Sequence, residues 1–286
     1  MLFSLILVTL GRDIELVSFL NSLASQTYRD FELIIIDQNR DKKIDSIVEK
    51  FMDCFPVNHI KVDFSGIARA RDYGIQFARG EIIAFPDDDC AYEVDVLEKV
   101  AGEFERRKEL AILAGGSYDF GKKKFSIGTH SNKSGMFFRS NMMGIEFTHF
   151  FNLSKISRGE LYLDHNFGIG AKYFSMEGFE MMYRLMKAGN RAYYNPEIRF
   201  YHANRREEDY IAGGDRIYKS SFAMGAFIRK FTNEGDVLMF YYILRKMIIA
   251  PVLKIFLAIF MLNPKRLSYS YNNLIRIWQG FIAYRK

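Results

Sequence analysis

Short apolar runs and helical spacings alternate through the first hundred or so residues. Residues 3–8, 31–36, 59–62, 81–85 and a run beginning at 111–113 are dense in Ile, Leu, Val and Phe. Between them, residues 13–25, 42–52, 67–78 and 93–107 repeat apolar positions every three or four residues. The first pattern predicts strands and the second predicts helices. Strands alternating with helices imply parallel β-α-β units, hence an α/β fold with helices on both faces of a mainly parallel sheet. Strands that are apolar at nearly every position suit a sheet covered on both sides. From 116 to 159 the pattern loosens, and Gly, Ser, Asn and Lys mix with aromatics, which reads as irregular strands and substrate-selecting loops. Helical spacing returns at 176–187, and 191–194 and 198–202 look extended.

Open α/β sheets bind ligands at the carboxyl ends of their strands. Three polar groups fall there: Thr9 with Arg12, Asp37, and the run Asp87-Asp88-Asp89. Asp87 and Asp89, one residue apart on the turn leaving a strand, can converge on one hard cation such as Mg²⁺ or Mn²⁺ that carries a diphosphate in its shell. The same acids could instead cap the helix expected at 93–107. Asp37 can accept from a nucleobase N–H or a ribose hydroxyl, or simply begin a turn. Arg71 suits a diphosphate or an acidic neighbour, but a surface arginine has the same spacing.

Composition narrows the class. With 286 residues and 49% hydrophobic content the chain can fill a core. Its two cysteines, Cys54 and Cys90, have no metal-ligand spacing, which argues against a disulfide framework and fits a reducing compartment. The N-terminus has no basic region ahead of its apolar run, so a strand is expected there rather than a secretory leader. A net charge of +6 selects no partner by itself. No nucleic-acid-binding motif is present, and the acids crowd the expected cleft.

The last fifty residues differ. Residues 237–262 are rich in Ile, Leu, Met, Phe and Tyr, but Arg245, Lys246, Pro251 and Lys254 interrupt them. No uncharged apolar run reaches the ~18 residues of a clean membrane span. The mixture suits helices lying in the interface of an anionic leaflet, or an amphipathic cap on the core. The expected division is therefore 1–235 and a helical segment, 236–286.

Five segments, in order, make the chain resemble a family-2 glycosyltransferase of the GT-A fold, the inverting kind that builds bacterial surface polysaccharides. They are residues 4–12; Asp37; the stretch 66–75, against the pattern Gly-x-x-x-Ala-Arg-Asn-x-Gly-Ile; Asp87–Asp89 as an Asp-x-Asp motif; and a last group. That group runs from Phe167-Gly-Ile-Gly through Glu177 and Arg184 to Gly189, Tyr194-Asn-Pro196 and His202. The resemblance covers about the first 200 residues. It implies that Thr9, Arg12, Asp37 and Arg71 line a nucleotide-sugar, UDP-linked by analogy, with Asp87 and Asp88 against the donor. It implies that Asp89, with Asp87 and His202, holds Mn²⁺ or Mg²⁺. The acceptor would be a glycan or polyprenyl-linked sugar, which places the enzyme in the cytoplasm at the inner face of the cell membrane.

Two positions depart from the pattern. Asp72 stands where the family has Asn. Gly178 stands where the family's central acid stands in Gly-Glu-Asp-x-Asp, leaving Glu177 as the first choice of general base and Glu180 as the second. An inverting transfer needs one carboxylate at the acceptor hydroxyl. Gly178 also motivates a non-catalytic sugar-nucleotide or glycan-binding subunit. A nucleotidyltransferase would show a Gly-rich loop after the first strand, and Leu10-Gly11-Arg12-Asp13 is poor in glycine.

Overall fold

The structure, a computed structural model, describes residues 1–121, 124–203 and 215–285. Strands β1 (Phe3–Thr9) and β2 (Phe31–Asp37) are adjacent and almost entirely buried. They pair in parallel from Phe3 opposite Phe31 to Thr9 opposite Asp37. Strand β3 (Val57–Lys61) continues the parallel set with Asp37 opposite Lys61, and β4 (Ile82–Ala84) flanks β1 on the other side. Past the end of β4, a single bridge joins Val8 to Asp87. The register thus brings Thr9, Asp37, Lys61 and Asp87 to one edge of the sheet.

Helix α3 (Ile67–Ile75) packs close to this sheet. A Cβ on its Gly74 would come within 2.4 Å of Ile6 Cγ2, so only glycine permits the approach. Helices α1 (Ile14–Ala24), α2 (Asp45–Glu49) and α4 (Val96–Arg106) complete the layers around β1–β4. Helix α2 is much shorter than the 42–52 pattern suggests, and no side chain caps its start.

The second half of the sheet is mixed. Strand β8 (His149–Asn152) inserts antiparallel between β4 and β6 (Ile112–Tyr118). Strand β9 (Ala192–His202) runs parallel to β6, and β5 (Cys90–Tyr92) and β7 (Gly135–Phe137) pair antiparallel with β9. The order is β3-β2-β1-β4-β8-β6-β9-β5. The α/β class expected from the pattern holds, with a mainly parallel centre. The irregular strands expected within 116–159 include β7 and β8. The two extended pieces around Pro196 are one strand. The proline, which has no N–H to give a ladder, is accommodated where the register shifts between Gly115 and Gly116.

The chain divides into two compact units, Met1–Leu163 with Met181–Asn204, and Asp164–Glu180 with Arg205–Lys286. Helix α5 (Glu177–Lys187) contributes its first turn to the second unit and the rest to the first. The second unit is helical: α6 (Asp215–Asn233), α7 (Leu238–Tyr242), a π-helical stretch (Ile243–Ile249), α8 (Ala250–Phe260) and α9 (Pro264–Ala283). The π-helical stretch ends just before Pro251, near the start of α8, where the ring needs no i−4 bond within that helix. Helices α6 and α9 touch backbone to backbone: a Cβ on Gly225 would sit 1.9 Å from Ile277 O, and one on Gly280 would sit 1.8 Å from Phe222 O. Among the described residues no helix is long and apolar enough to cross a membrane.

Candidate active site

At the sheet edge the three consecutive aspartates make distinct sets of contacts, with Arg12 shared by two of them. The Asp88 side chain turns back into the protein, where Thr9 Oγ1 donates to it at 2.8 Å and Arg12 pairs with it. Asp89 lies 2.9 Å from Arg12 Nη1 and 3.2 Å from His202 Nε2. Asp87 accepts from Arg71 Nη2 at 2.8 Å. Strand β5 separates the triplet from α4, whose N-cap is Asp95. The helix-cap reading of the triplet is thereby excluded.

Burial pushes the Asp88 carboxyl up to about 6, against the pull of Arg12 and Thr9. Burial acts on Asp89 in the same direction, but His202 and Arg12 outweigh it and hold the group at about 2. His202 would be lowered by burial, yet its pairing with Asp89 raises it. Arg71, nearly inaccessible, also pairs at 2.6 Å with Glu146, so the surface-arginine reading is excluded.

Ligand atoms of Asp87, Asp89 and His202 lie within 4.8 Å of one another. Two carboxylates and one imidazole are a donor set for a divalent cation. The Nδ1 of His202 lies 2.7 Å from the Ala203 carbonyl, to which it donates. That second contact fixes the ring and leaves Nε2 facing Asp89, the arrangement in which a histidine serves a metal. The residues present therefore fit a bound cation.

Asp37 is buried, and three residues engage its carboxylate. Asn39 donates to Oδ1 from its backbone N–H and its side-chain amide, each at 2.8 Å. His59 Nε2 and Lys61 Nζ lie 3.1 and 3.2 Å from Oδ2. Burial would raise this group, but these partners hold it at about 2. Asp37, Asp45 and His59 also have metal-like proximity, yet the Lys61 ammonium bridges Asp37 and Asp45, at 3.0 Å from the latter. That position already holds a cation. Asp72 accepts from the Leu163 backbone N–H at 2.7 Å, a bond that the amide oxygen of an asparagine would serve equally.

The second unit carries both candidate bases. Met176, just before Glu177, has φ of 84°, a left-handed backbone that a methionine rarely adopts. Glu180 is fully buried and pairs at 2.8 Å with Lys230 of α6, which is also 2.8 Å from Asp164. In the same unit a cavity of about 280 Å³ is lined by Phe174, Tyr218 and Phe222 with Lys172, Lys219 and Arg276.

Glu146, Asn39, His59 and Lys61 escape a reading of the sequence. Each acts on a motif residue through pairing. Only Asn39, two residues after Asp37, leaves a local signal, an Asx-type turn.

A mixed α/β sheet with paired acids and arginines at its carboxyl edge is compatible with the glycosyltransferase class. Residues 4–162 match the sequence profile of Glycosyl transferase family 2, more than half of the chain, and the protein belongs to that family. It is 29% identical over 97 residues to the glucosyl-dolichyl phosphate glucuronosyltransferase of Haloferax volcanii, a match spanning 34% of this chain and 31% of that protein. It is 27% identical over 117 residues to the minor teichoic acid biosynthesis protein GgaB of Bacillus subtilis, spanning 39% of this chain and 13% of the other. These matches thus span about a third of the first relative and far less of the second. In three dimensions the chain resembles S. aureus TarS 1–349 in complex with UDP, with TM-score 0.60 and 16% identity, over 99% of this chain and 91% of that one. It also resembles the mannosyltransferase PcManGT from Pyrobaculum calidifontis in complex with GDP-Man and Mn²⁺, with TM-score 0.65 and 10% identity, over 98% and 87%. At these identities the likeness is one of fold.

Proposed function

We propose that this glycosyltransferase moves a sugar from a UDP-sugar to a glycan or polyprenyl-linked acceptor in surface polysaccharide synthesis, with inversion, at the inner face of the cell membrane. The observation that carries the reading is the meeting of Asp87, Asp89 and His202 beside Arg12 and Arg71, on the sheet edge that also holds Asp37. The UDP complex of TarS supports the choice of nucleotide, and the names of the Haloferax and Bacillus relatives support a lipid-linked or surface-polymer acceptor.

In this reading Asp37, with Thr9, lines the nucleoside, and Arg12, Arg71, Asp87 and Asp88 border the diphosphate. Asp87, Asp89 and His202 hold the cation, and the imidazole favours Mn²⁺ over Mg²⁺, which prefers all-oxygen shells. When bound, that cation offsets the charge building on the departing diphosphate. Glu177 takes the proton of the acceptor hydroxyl. The hydroxyl oxygen attacks the anomeric carbon from the face opposite the leaving group, and the C–O bond to phosphate breaks with its electron pair on the diphosphate. Glu180, fully buried and paired with Lys230, is the second choice. The left-handed Met176 supports Glu177, since strained backbone clusters at working residues.

Turnover of a panel of nucleotide-sugars with Mn²⁺ or Mg²⁺, with membrane lipid extract as acceptor, tests the proposal. Metal-dependent release of nucleoside diphosphate is expected, and Asp89→Ala should lower it at least a hundredfold while leaving the fold intact by circular dichroism. Gly178 motivates a second reading, a donor-binding subunit without turnover. Binding of the panel with no release would establish that reading.

A further inference from the structure

The C-terminal helices expose an apolar stripe of unusual regularity. Helix α7, the π-helical stretch and α8 follow one another without a break in helical backbone from Leu238 to Phe260. Every fourth residue along this rod is a large exposed apolar side chain: Phe240, Leu244, Ile248, Val252, Phe256 and Phe260. Phe256 is 66% and Phe260 87% exposed. A second row beside it carries Tyr241, Ile249, Leu253, Leu257 and Met261, also exposed. The opposite side, with Met239, Tyr242, Met247, Pro251 and Ala258, is buried. A rod with one face buried along its length lies on the surface of its unit. Continuous exposed apolar surface of this extent marks an interaction site.

The charge pattern says what covers it. Asp236 is the last acid in the chain. The fifty residues that follow carry eight of the forty Lys and Arg and none of the 34 Asp and Glu. Arg245, Lys254, Lys265 and Arg266 are exposed on or beside the stripe. A second copy of this chain would bring like charges together across the contact and is disfavoured on that account. An anionic bilayer answers both features, taking the apolar rows into its headgroup–acyl boundary and the cations at its phosphates. We propose that this face docks the protein in the plane of an anionic membrane, without spanning it. The inference deepens the membrane location in the reading above and rests on that reading only for the acceptor; the surface stands on its own residues.

The test is flotation of the intact chain with vesicles of phosphatidylcholine alone or with 30% phosphatidylglycerol (about that fraction suffices to set a surface potential). Binding to the anionic vesicles is expected, falling as salt rises and weaker by roughly tenfold or more on neutral vesicles, since each basic residue near the surface adds to the attraction. Phe256→Glu with Phe260→Glu, at solvent-facing positions that leave the buried face intact, should abolish it. Lys254→Glu with Arg266→Glu should abolish the preference for anionic lipid. Circular dichroism and donor hydrolysis should stay unchanged in both. Equal binding to both vesicle types, or variants that float like the parent, would overturn the proposal. So would a dimer that the phenylalanine variant converts to monomer without any vesicle binding. Loss of donor hydrolysis in the parent protein would sink the transferase reading and leave this one untouched.

Discussion

Asp88 and Asp89 are adjacent in the chain, yet one titrates near 6 and the other near 2. Burial raises both, and only Asp89 has the His202 partner that reverses it. Glu177→Gln should abolish transfer while leaving donor affinity within about twofold, measured by product formation and calorimetry. Glu180→Gln should act on stability instead. Breaking its buried pair with Lys230 leaves an ammonium short of a counter-charge, at roughly 3–5 kcal/mol, read as a lowered denaturation midpoint. Retained turnover in the Glu177 variant would move the base elsewhere. Asp37 gives a pH signature. Its folded value of about 2 lies below the ordinary 3.8, so the ionised form stabilises the fold. The gain, about 2 kcal/mol at most, is complete above pH 4 and is lost as pH falls towards 2. Asp37→Asn should therefore be less stable at pH 7 and show a flatter decline in unfolding free energy between pH 4 and 2. Asp37, Asp87 and Asp89 were legible in the sequence because each stands where an apolar strand run ends, and Arg71 because it belongs to the glycine-flanked pattern at 66–75. Lys61 and Glu146 were not, because their partners lie 24 and 75 residues away along the chain and meet them only through the fold.

Buried parallel strands write themselves plainly into a sequence, and β1, β2 and β4 lie within a residue or two of their apolar runs. The short antiparallel strands β7 and β8 do not, since three or four residues carry too little periodicity and their pairing depends on distant partners. Helix α2 shows the opposite error: helical spacing over 42–52 yields only five helical residues, with no side chain to cap the start. The crossing of α6 and α9 was also hidden, because one glycine in a helical pattern reads as a weak position. Gly225→Ala tests it. The added Cβ meets a backbone carbonyl that cannot swing aside, so the helices must part, at about 1–3 kcal/mol. Thermal unfolding of the whole chain should show a clear drop for Gly225→Ala. Gly159→Ala, where a Cβ would touch nothing within 4 Å, should unfold close to the parent.

Over the whole molecule, charge is divided unevenly along the chain. The first 236 residues hold 32 cations against 34 acids, so the excess of +6 arises entirely from the last fifty. The composition conceals this, because a net figure averages over both parts. Truncation after Asn233 would strip membrane affinity, but it would also uncover the face of α6 that α9 covers, so point changes on the outer stripe are the cleaner probe. The stripe also bears on how the protein behaves in a tube. Free of lipid, its colloidal stability rests on mutual repulsion of the cationic faces, a force that electrolyte weakens while leaving the apolar rows as adhesive as before. Light scattering should therefore find larger particles at 0.5 M than at 0.05 M NaCl (salt levels spanning roughly 14 to 4 Å of Debye screening). A mild detergent, by occupying the rows, should restore a single small species at either concentration.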